Sequence, residues 1–292
     1  MKPIFSIIIP TYNDVTYLKE SVDSVLNQYF PKNKYEIIIV DGSINDHVFN
    51  FYMTHLSKNK QIRYIRKNCN LPEALNIGIK NMHGILFKQL DSDDMLSTPF
   101  SLVKYYKYAS LHPDYLIFYS DANIINPAGE LVRISKEKQY EGLSLARRVW
   151  NGPIGYPSAY LINKKAFQLV GLFNEKNLQA EDWEWRIRAV FINKLKFYHI
   201  PEPLISYRIH RKQKSTLEMR TNSFYLFRIK KKLIKEIKTK IEDREMLNIL
   251  KVSLIKAIIS YIKKNIELTL KLNDNMTYKK LIKHIEEKIG SV

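Results

Sequence analysis

The stretch YEIIIVDG (residues 35–42) is a near-continuous apolar run that ends in an acid and a glycine. Runs of this kind predict strands that are buried on both faces of a sheet. Three more apolar runs lie nearby: FSIIIP (residues 5–10), ILFKQLD (85–91) and YLIFYSD (115–121). Helical segments separate these runs. The sequence therefore predicts an α/β fold with a mostly parallel sheet that helices cover on both faces.

Amphipathic segments between the strands predict the helices. The first helix has Asn13 or Asp14 as its predicted N-cap. A second helix is predicted after Pro72, with Gly84 as its C-terminal cap. The apolar face of the first helix comprises Leu18, Val22, Val25 and Leu26.

Length and charge divide the 292-residue chain into two parts, an α/β domain at residues 1–215 and a basic extension at residues 216–292. Half of the formal net charge of +18 lies on the extension, whose residue pattern predicts Lys-rich amphipathic helices. This charge favours anionic partners, whether nucleotide, phospholipid or nucleic acid. One predicted helix carries Leu250, Leu254, Ile258 and Ile262 at helical spacing.

Targeting and redox signals are sparse. The opening run MKPIFSIIIP is broken by Pro10 and predicts a strand rather than a signal peptide. No apolar run reaches the roughly 18 residues that a membrane span needs. The single cysteine, Cys69, excludes an intramolecular disulfide framework and is expected to be a small buried or loop residue in a reducing compartment.

Acidic residues end three of the four predicted strands: Asp41, Asp91 and Asp121. Ligands of open α/β sheets bind outside the carboxyl ends of the strands, so we expect these acids to gather at one edge. The segment DSDD (residues 91–94) places three carboxylates so close that they repel one another unless a cation neutralises them. Oxygen ligands suit Mg²⁺ or Mn²⁺ bound together with substrate phosphates. A solvated acidic turn or a helix N-cap is the alternative.

Two common phosphate-binding motifs are missing. The first strand is not followed by G-x-G-x-x-G, and the chain has no G-x-x-x-x-G-K-[ST]. A nucleotide bound at this edge must therefore be held by side chains such as Asp41, with a metal ion on its phosphates.

Four ordered segments carry a family resemblance: FSIIIPTYNDVTYLKESVDSVLNQ, YEIIIVDGSIND, LPEALNIGIKNMHGILFKQLDSDDML and AEDWEWRIRA. Residues 3–215 resemble a family 2 glycosyltransferase of the GT-A fold, of the bacterial surface-polysaccharide type. The resemblance implies that residues 1–215 form the GT-A catalytic domain, with a C-terminal helical extension.

The resemblance also implies roles for the residues that match the family's motifs. Asp182 resembles the general base and Glu181 its neighbour, while Asp91 and Asp93 resemble the D-x-D pair. The implied donor nucleotide-binding residues are Pro10, Thr11, Tyr12, Asp41, Lys67, Asp91 and Ser92. The implied metal ligands are Asp93, Asp91 and His210. The residues expected on the acceptor or phosphate side are Trp183, Trp185 and Arg208.

Several positions leave alternatives open. Leu75 stands where many relatives have arginine, and Arg66 or Lys67 is the expected substitute. Asp121 either approaches the donor sugar or caps a turn. Since alternate residues of a helix do not both face inward, we expect at least one of the two tryptophans near Asp182 to contact the acceptor, with core packing as the alternative. Asp94 is expected to cap the next segment.

The resemblance implies an inverting, metal-dependent enzyme that uses Mn²⁺ or Mg²⁺. It would transfer a sugar from a nucleotide sugar, such as UDP-Gal, UDP-Glc or UDP-GlcNAc, to a hydroxyl of a glycan or lipid-linked acceptor in surface polysaccharide biosynthesis. A metal-dependent nucleotidyl- or phosphotransferase is the alternative within enzymes. A basic nucleic-acid-binding protein is the other alternative, but no zinc finger, homeodomain or RNP pattern supports it, so we expect no nucleic-acid partner.

The basic extension leaves its partner open. Its predicted helices suit the anionic inner face of a cell membrane, which would make the protein cytoplasmic and peripheral. The alternative is that they pack on the catalytic domain or on a second copy in a homodimer.

Overall fold

The computed structural model describes residues 2–178, 180–211, 213, 230–235, 244–245, 247–252 and 255. The chain forms two compact units, Met1–Gln213 and Lys214–Val292. In the second unit, residues 230–235 and 247–252 are helical. The predicted boundary after residue 215 and the predicted helix positions Leu254, Ile258 and Ile262 lie outside the described residues. No helix in the described ranges is long and apolar enough to cross a membrane.

The first unit contains a mixed sheet, in which nine strands are described. The strands are β1 (Phe5–Thr11), β2 (Tyr35–Asp41), β3 (Ile62–Arg66), β4 (Leu86–Gln89), β5 (Met95–Leu96), β6 (Ile117–Ile125), β7 (Leu131–Ser135), β8 (Tyr160–Asn163) and β9 (Phe197–Arg208). Their order is β3-β2-β1-β4-β8-β6-β9-β5, and β7 pairs with β6. Strands β3, β2, β1 and β4 are parallel, as are β6 and β9. The pairs β4–β8, β6–β8, β5–β9 and β6–β7 are antiparallel.

Seven α-helices of the first unit flank this sheet. They are α1 (Leu18–Leu26), α2 (His47–His55), α3 (Leu71–Asn81), α4 (Ser101–Leu111), α5 (Gly142–Asn151), α6 (Lys164–Val170) and α7 (Glu181–Ile187), which continues into a π-helical stretch at Arg188–Ile192. Every residue of β1 and β2 is buried. These apolar runs therefore lie at the centre of a sheet covered on both faces, as predicted.

The first helix begins later than predicted. Its N-cap position is Tyr17, and no side chain caps it. Asn13 has a left-handed backbone (φ 57°), and its side chain accepts a hydrogen bond from the Ile44 amide (3.2 Å). Asp14 accepts a hydrogen bond from the Thr16 amide (2.8 Å). Both predicted caps instead order the loop that follows β1, because short polar side chains compete with the helix for local backbone groups.

Gly84 does not cap α3, which ends three residues earlier at Asn81. A Cβ atom at Gly84 would lie 2.7 Å from the Phe5 carbonyl carbon and 2.7 Å from the Ser6 nitrogen. The glycine is therefore needed where the chain passes close to β1 on its way into β4.

The strands differ from the sequence prediction in two ways. The prediction included neither β3 nor the later strands β5, β7, β8 and β9, and β6 runs on to Ile125. Asp121 therefore lies inside β6, at a register shift against β9, rather than at a strand end. The expected row of three edge acids is reduced to Asp41 and Asp91.

A buried carboxylate joins three segments near the amino ends of the parallel strands. Glu36 is only 7% exposed. Its side chain accepts hydrogen bonds from the Ser6 hydroxyl (2.5 Å), the His83 amide (2.6 Å) and the Arg63 guanidinium (2.9 Å). Burial raises the pKa of Glu36, but these hydrogen bonds outweigh it and hold the pKa below the ordinary value of 4.5.

This network predicts acid-sensitive stability. A carboxyl group whose pKa is lowered by folding contributes stability that is fully present above its unfolded pKa and is lost as the pH falls through its folded pKa. We expect Glu36→Gln to lower the free energy of unfolding by about 1–3 kcal/mol near neutral pH. The difference from the natural chain should shrink as the pH falls below 4.5.

Urea unfolding at several pH values measures this difference. Asp114→Asn is the control, because Asp114 is exposed and its replacement should change stability by less than about 0.5 kcal/mol. A Glu36→Gln difference that stays constant across the acid range would contradict the assignment.

Candidate active site

Asp41 ends β2 and is fully buried. Its carboxylate accepts hydrogen bonds from the Tyr64 hydroxyl (2.5 Å) and the Ser43 amide (2.8 Å), and the Arg66 Nε lies 3.9 Å away. Burial, followed by the hydrogen bond to Asp41, raises the pKa of Tyr64 above its usual range, so Tyr64 remains a donor. The carboxylate is thus held in a fixed direction at the strand end.

The end of β1 lies beside Asp41, since Thr11 pairs with Asp41 in the parallel register. Pro10 and Thr11 are buried, whereas the Tyr12 side chain is 55% exposed. Of the three implied nucleoside contacts in this segment, Tyr12 therefore presents the accessible surface. A Cβ atom at Gly42 would lie 2.5 Å from the Cys69 carbonyl oxygen, so glycine is required where the two loops meet.

Leu75, which stands where many relatives have arginine, is buried and has no exposed surface. Of the two expected substitutes, Arg66 lies near Asp41 and also forms an ion pair with Asp46 (2.6 Å). The amide of Lys67 donates to the Asp41 carbonyl (2.9 Å), and its side chain is exposed. Both cations lie at the Asp41 end of the sheet.

The DSDD segment forms a turn directly after β4, with the Asp94 amide donating to the Asp91 carbonyl (2.9 Å). The Asp91 carboxylate accepts a hydrogen bond from Gln89 Nε2 (2.8 Å), and the Asp91 backbone amide donates to the Ser158 hydroxyl (3.0 Å). Ser92, like Asp91, is half-buried. The turn is thus fixed to β4 on one side and to the segment before β8 on the other.

Asp93 and His210 lie together although they are far apart in the sequence. Their Oδ2 and Nε2 atoms are 2.9 Å apart. In the part of the chain that the structure describes, no group of three or more His, Cys, Asp or Glu residues is arranged to hold an ion. A carboxylate and an imidazole at one point, with the Asp91 carboxylate on the same turn, nevertheless fit an ion that takes its other ligands from substrate phosphates.

Arg208 does not occupy the predicted phosphate side. It is fully buried, and its guanidinium lies 4.2 Å over the Tyr17 ring. Nε donates to the Asp93 carbonyl (3.0 Å), Nη1 to the Pro127 carbonyl (2.8 Å) and Nη2 to Glu20 (2.6 Å). Each nitrogen therefore has a partner inside the protein. Arg208 thus holds the DSDD turn from the interior of the protein.

Asp94 was expected to cap the next segment, but it is fully buried. Its Oδ1 accepts a hydrogen bond from the Arg208 amide (3.0 Å). Burial, followed by the negative charges of Asp93 and Asp91, raises the pKa of Asp94 well above its ordinary value. The four-residue turn therefore contains one acid that points into the protein and two, Asp91 and Asp93, that stay partly accessible.

Lys88 in β4 is a buried cation that the sequence analysis missed. Burial lowers its pKa to about 7, although the charges of Asp94 and Asp91 oppose the shift. Its ammonium donates to the Ser158 carbonyl, and to the Gln89 carbonyl at 3.2 Å. A lysine in the middle of the predicted buried strand ILFKQLD was the available signal, because a buried lysine needs such partners.

The predicted base, Asp182, lies in the first turn of α7. Its side chain is 23% exposed, whereas Glu181 beside it is buried. The Asp182 carboxylate accepts hydrogen bonds from the Trp183 amide (2.6 Å) and from the Arg186 guanidinium. A cavity opens next to it. The residues that line the cavity include Phe87, Gln89, Tyr160, Asp182, Trp185 and Arg186.

Both tryptophans of α7 face inward, contrary to the expectation that alternate residues of a helix do not both face inward. Trp183 is 5% exposed and donates to the Val149 carbonyl (2.6 Å); Trp185 is 1% exposed and donates to the Gly171 carbonyl (2.8 Å). Six of the seven residues of α7 are buried, so protein encloses the helix on opposite sides. Trp185 still borders the cavity.

Asp121 has a structural partner. Its Oδ1 accepts from the Glu137 amide (2.8 Å) and lies 2.8 Å from His199 Nε2. The group is buried between β6, β9 and the segment after β7. The expected role as a cap of the following turn is wrong, because Asp121 lies within β6 and its carboxylate instead contacts β9 and the segment after β7.

Asn76 on α3 is a second residue that sequence reasoning missed. Its side chain donates to the Phe173 carbonyl (2.9 Å) and accepts from the Phe173 amide (3.0 Å). It also donates to Glu175 (3.0 Å). These bonds fix the loop that leads towards α7. A polar residue among the apolar positions of α3 was the available signal.

The sequence and the fold match known proteins. The model of glycosyl transferase family 2 matches residues 6–171 of this chain. The chain belongs to this family. Over 224 residues it is 30% identical to an uncharacterized glycosyltransferase of Rickettsia prowazekii, in an alignment that covers 72% of this chain and 65% of that protein. The chain therefore spans just under two thirds of the length of that relative.

Two further comparisons concern Staphylococcus aureus TarS, a poly(ribitol-phosphate) beta-N-acetylglucosaminyltransferase. The chain is 30% identical to TarS over 95 residues, covering 32% of this chain and 17% of TarS. The crystal structure of TarS 1–349 with UDP-GlcNAc superposes with a TM-score of 0.70 at 16% identity, covering 92% of this chain and 76% of that one. This similarity confirms the predicted GT-A fold of the family 2 glycosyltransferase.

Proposed function

We propose that this chain is an inverting, metal-dependent glycosyltransferase that moves a sugar from a UDP-sugar to a hydroxyl of a glycan or lipid-linked glycan. One observation carries the proposal. Gln89, which holds the Asp91 carboxylate, and Asp182 line the same cavity. Gln89 therefore links the acid suited to the donor phosphates, Asp91, to the cavity that is lined by the acid suited to deprotonating the acceptor, Asp182.

The donor nucleoside is proposed to bind at the carboxyl ends of β1 and β2. The buried Asp41 carboxylate fixes the strand end at which the ribose or base is proposed to bind, and the exposed ring of Tyr12 offers a stacking surface beside it. Lys67 adds a nearby positive charge. The structures of TarS with UDP-GlcNAc and with UDP support a uridine nucleotide.

Mn²⁺ or Mg²⁺ is the proposed cofactor, with Asp93 and His210 as its first protein ligands and Asp91 beside them. Such an ion, when bound, offsets the negative charge that develops on the leaving diphosphate. The Asp93–His210 contact, supported from beneath by Arg208, is the feature of this chain that suits it.

The transfer step is a substitution at the anomeric carbon. The acceptor oxygen forms the new bond to this carbon from the face opposite the diphosphate, which inverts the configuration. The bond from the sugar to the diphosphate oxygen breaks, and its electron pair leaves with the UDP. The proton of the acceptor hydroxyl passes to the Asp182 carboxylate, which acts as the general base.

A ligand panel tests the donor site. The full chain would be heated with UDP, UDP-Glc, UDP-Gal, UDP-GlcNAc and other nucleoside diphosphates, with and without Mn²⁺. A ligand at 100 times its dissociation constant stabilises the native state by about 2.7 kcal/mol. We expect UDP and at least one UDP-sugar to raise the unfolding temperature more with Mn²⁺ than without it. The absence of any metal-dependent shift would contradict the donor-site proposal.

The products separate this activity from its rival. Release of UDP from a UDP-sugar together with a glycosylated acceptor is expected of the proposed activity. Release of pyrophosphate from a nucleoside triphosphate would instead indicate a nucleotidyltransferase that uses the same carboxylates. A cytoplasmic location, contact with the inner membrane face through the basic extension and a homodimer stay predictions, since the residues that would carry these contacts lie largely outside the described ranges.

A further inference from the structure

Two acid–arginine pairs with the same spacing lie on α7 and its continuation. Glu184 forms a two-point ion pair with Arg188, with distances of 2.7 Å and 3.1 Å. Asp182 forms the corresponding pair with Arg186. Both pairs are substantially buried. Their chemistry and spacing are therefore alike, and their surroundings distinguish them.

The surroundings of Arg188 are structural. Its Nη1 donates to the Val170 carbonyl (2.5 Å) and its Nη2 to the Leu172 carbonyl (2.8 Å). These bonds tie α7 to the end of α6. Neither Glu184 nor Arg188 is part of the cavity wall.

Arg186 lies in the cavity wall, together with Asp182. Its Nε donates to the Asp182 carbonyl (3.1 Å), its Nη1 to the Ile154 carbonyl (3.3 Å) and its Nη2 to the Asp182 carboxylate. The guanidinium lies 4.4 Å over the Tyr160 ring. Several contacts therefore hold the planar guanidinium of Arg186 in place without a substrate.

This arrangement fixes the direction of the Asp182 carboxylate. One oxygen accepts from the Trp183 amide and the other from Arg186. A carboxylate oxygen accepts about two hydrogen bonds, so each oxygen retains capacity for a further hydrogen bond. Arg186 itself is only 4% exposed, and each of its nitrogens already has a partner, which leaves it poorly placed to bind a substrate directly.

We propose that Arg186 is a positioning residue for the transfer step, which holds the Asp182 carboxylate where it accepts the acceptor proton. The inference rests on the proposed function of Asp182. Two effects of Arg186 oppose each other. Its positive charge disfavours protonation of the carboxylate and so weakens the base, whereas its fixed fork orients the carboxylate. A displacement of about 1 Å in an active site lowers rates about 10²-fold, so we expect orientation to dominate.

The test compares matched variants of the two arginines. We expect Arg186→Gln to lower kcat by about 10- to 100-fold, with the KM for the UDP-sugar within about twofold of the natural value. The kcat of Arg186→Lys should lie between those of the natural chain and Arg186→Gln, because lysine supplies a donor but not the planar guanidinium. Arg188→Lys and Arg188→Gln are the controls. They should lower the unfolding temperature at least as much as the Arg186 variants but change kcat by less than about threefold.

A double-mutant cycle separates positioning from general structural damage. Residues that act as a unit show strongly non-additive effects. We therefore expect Arg186→Gln to cause little further loss of transfer when Asp182→Asn is already present. An equal loss in both backgrounds, or an Arg186→Gln variant with an unchanged or raised kcat, would overturn the inference. Full turnover by Asp182→Asn alone would instead overturn the assignment of the base, so the two failures are distinguishable.

Discussion

Asp182→Asn is expected to lower the kcat for sugar transfer by about 10²- to 10⁴-fold, the contribution typical of a positioned general base. The amide has nearly the same shape but does not accept the proton of the acceptor hydroxyl. Donor binding should change little, because the implied nucleoside and phosphate contacts lie at Asp41 and on the DSDD turn. Steady-state kinetics with the UDP-sugar identified by the ligand panel measures the first effect, and the thermal shift with UDP and Mn²⁺ measures the second.

Glu181→Gln serves as the matched comparison. Glu181 precedes Asp182 and is 6% exposed, whereas the Asp182 carboxylate borders the cavity. We expect the Glu181 variant to retain more turnover than Asp182→Asn and to lose more stability. The reverse order, with Asp182→Asn near natural turnover, would move the base to another acid and remove the basis for the role of Arg186.

The central strands were predictable because each is a short run of apolar residues with turn signals at its ends. The observed bounds of β1, β2 and β4 lie within two residues of the predicted ones. Strand β3 was missed because IRYIR includes two arginines. An edge strand tolerates such residues, since four of its five positions are half-buried or exposed. The full length of β6 was missed because an acid, Asp121, stands in the middle of it.

The candidate site was partly predictable for a different reason. Asp41 ends β2, and Asp91 and Asp93 lie on the turn after β4, so sheet geometry alone brings them to one edge. The contacts of Arg208, Lys88 and Asn76 were not predictable, because each joins residues far apart in the sequence. Arg208 was assigned to the phosphates from its motif position, whereas its burial depends on the packing of α1, the DSDD turn and the β6–β7 connection.

Both inward-facing tryptophans illustrate the same limit. Helical periodicity predicts which residues share a face, but not how many faces of the helix are covered. Because α7 is covered on opposite sides, Trp183 and Trp185 both find backbone carbonyls as hydrogen-bond acceptors. The pattern E-D-W-E-W predicted a helix, which α7 confirms, while the burial of its side chains follows from α5 and α6.

Arg208→Met is expected to lower the free energy of unfolding by about 3–5 kcal/mol, as for the loss of one partner from a buried charged network. Methionine fills similar space but leaves the Asp93 and Pro127 carbonyls without their donor. Glu20 is about half exposed and contributes less, because water replaces the lost partner. Urea unfolding measures the loss. Arg133→Met is the control, since Arg133 is exposed on β7 and should change stability by less than about 0.5 kcal/mol.

The same substitution should also weaken the metal-dependent part of donor binding. Arg208 fixes the Asp93 carbonyl. The Asp93 carboxylate contacts His210, which lies two residues after Arg208 in the sequence. If Arg208 sets the geometry of this pair, Arg208→Met will need a higher Mn²⁺ concentration for a half-maximal thermal shift with UDP. A variant that loses stability but keeps the natural Mn²⁺ midpoint would limit Arg208 to packing. A variant as stable as Arg133→Met would contradict the buried network itself.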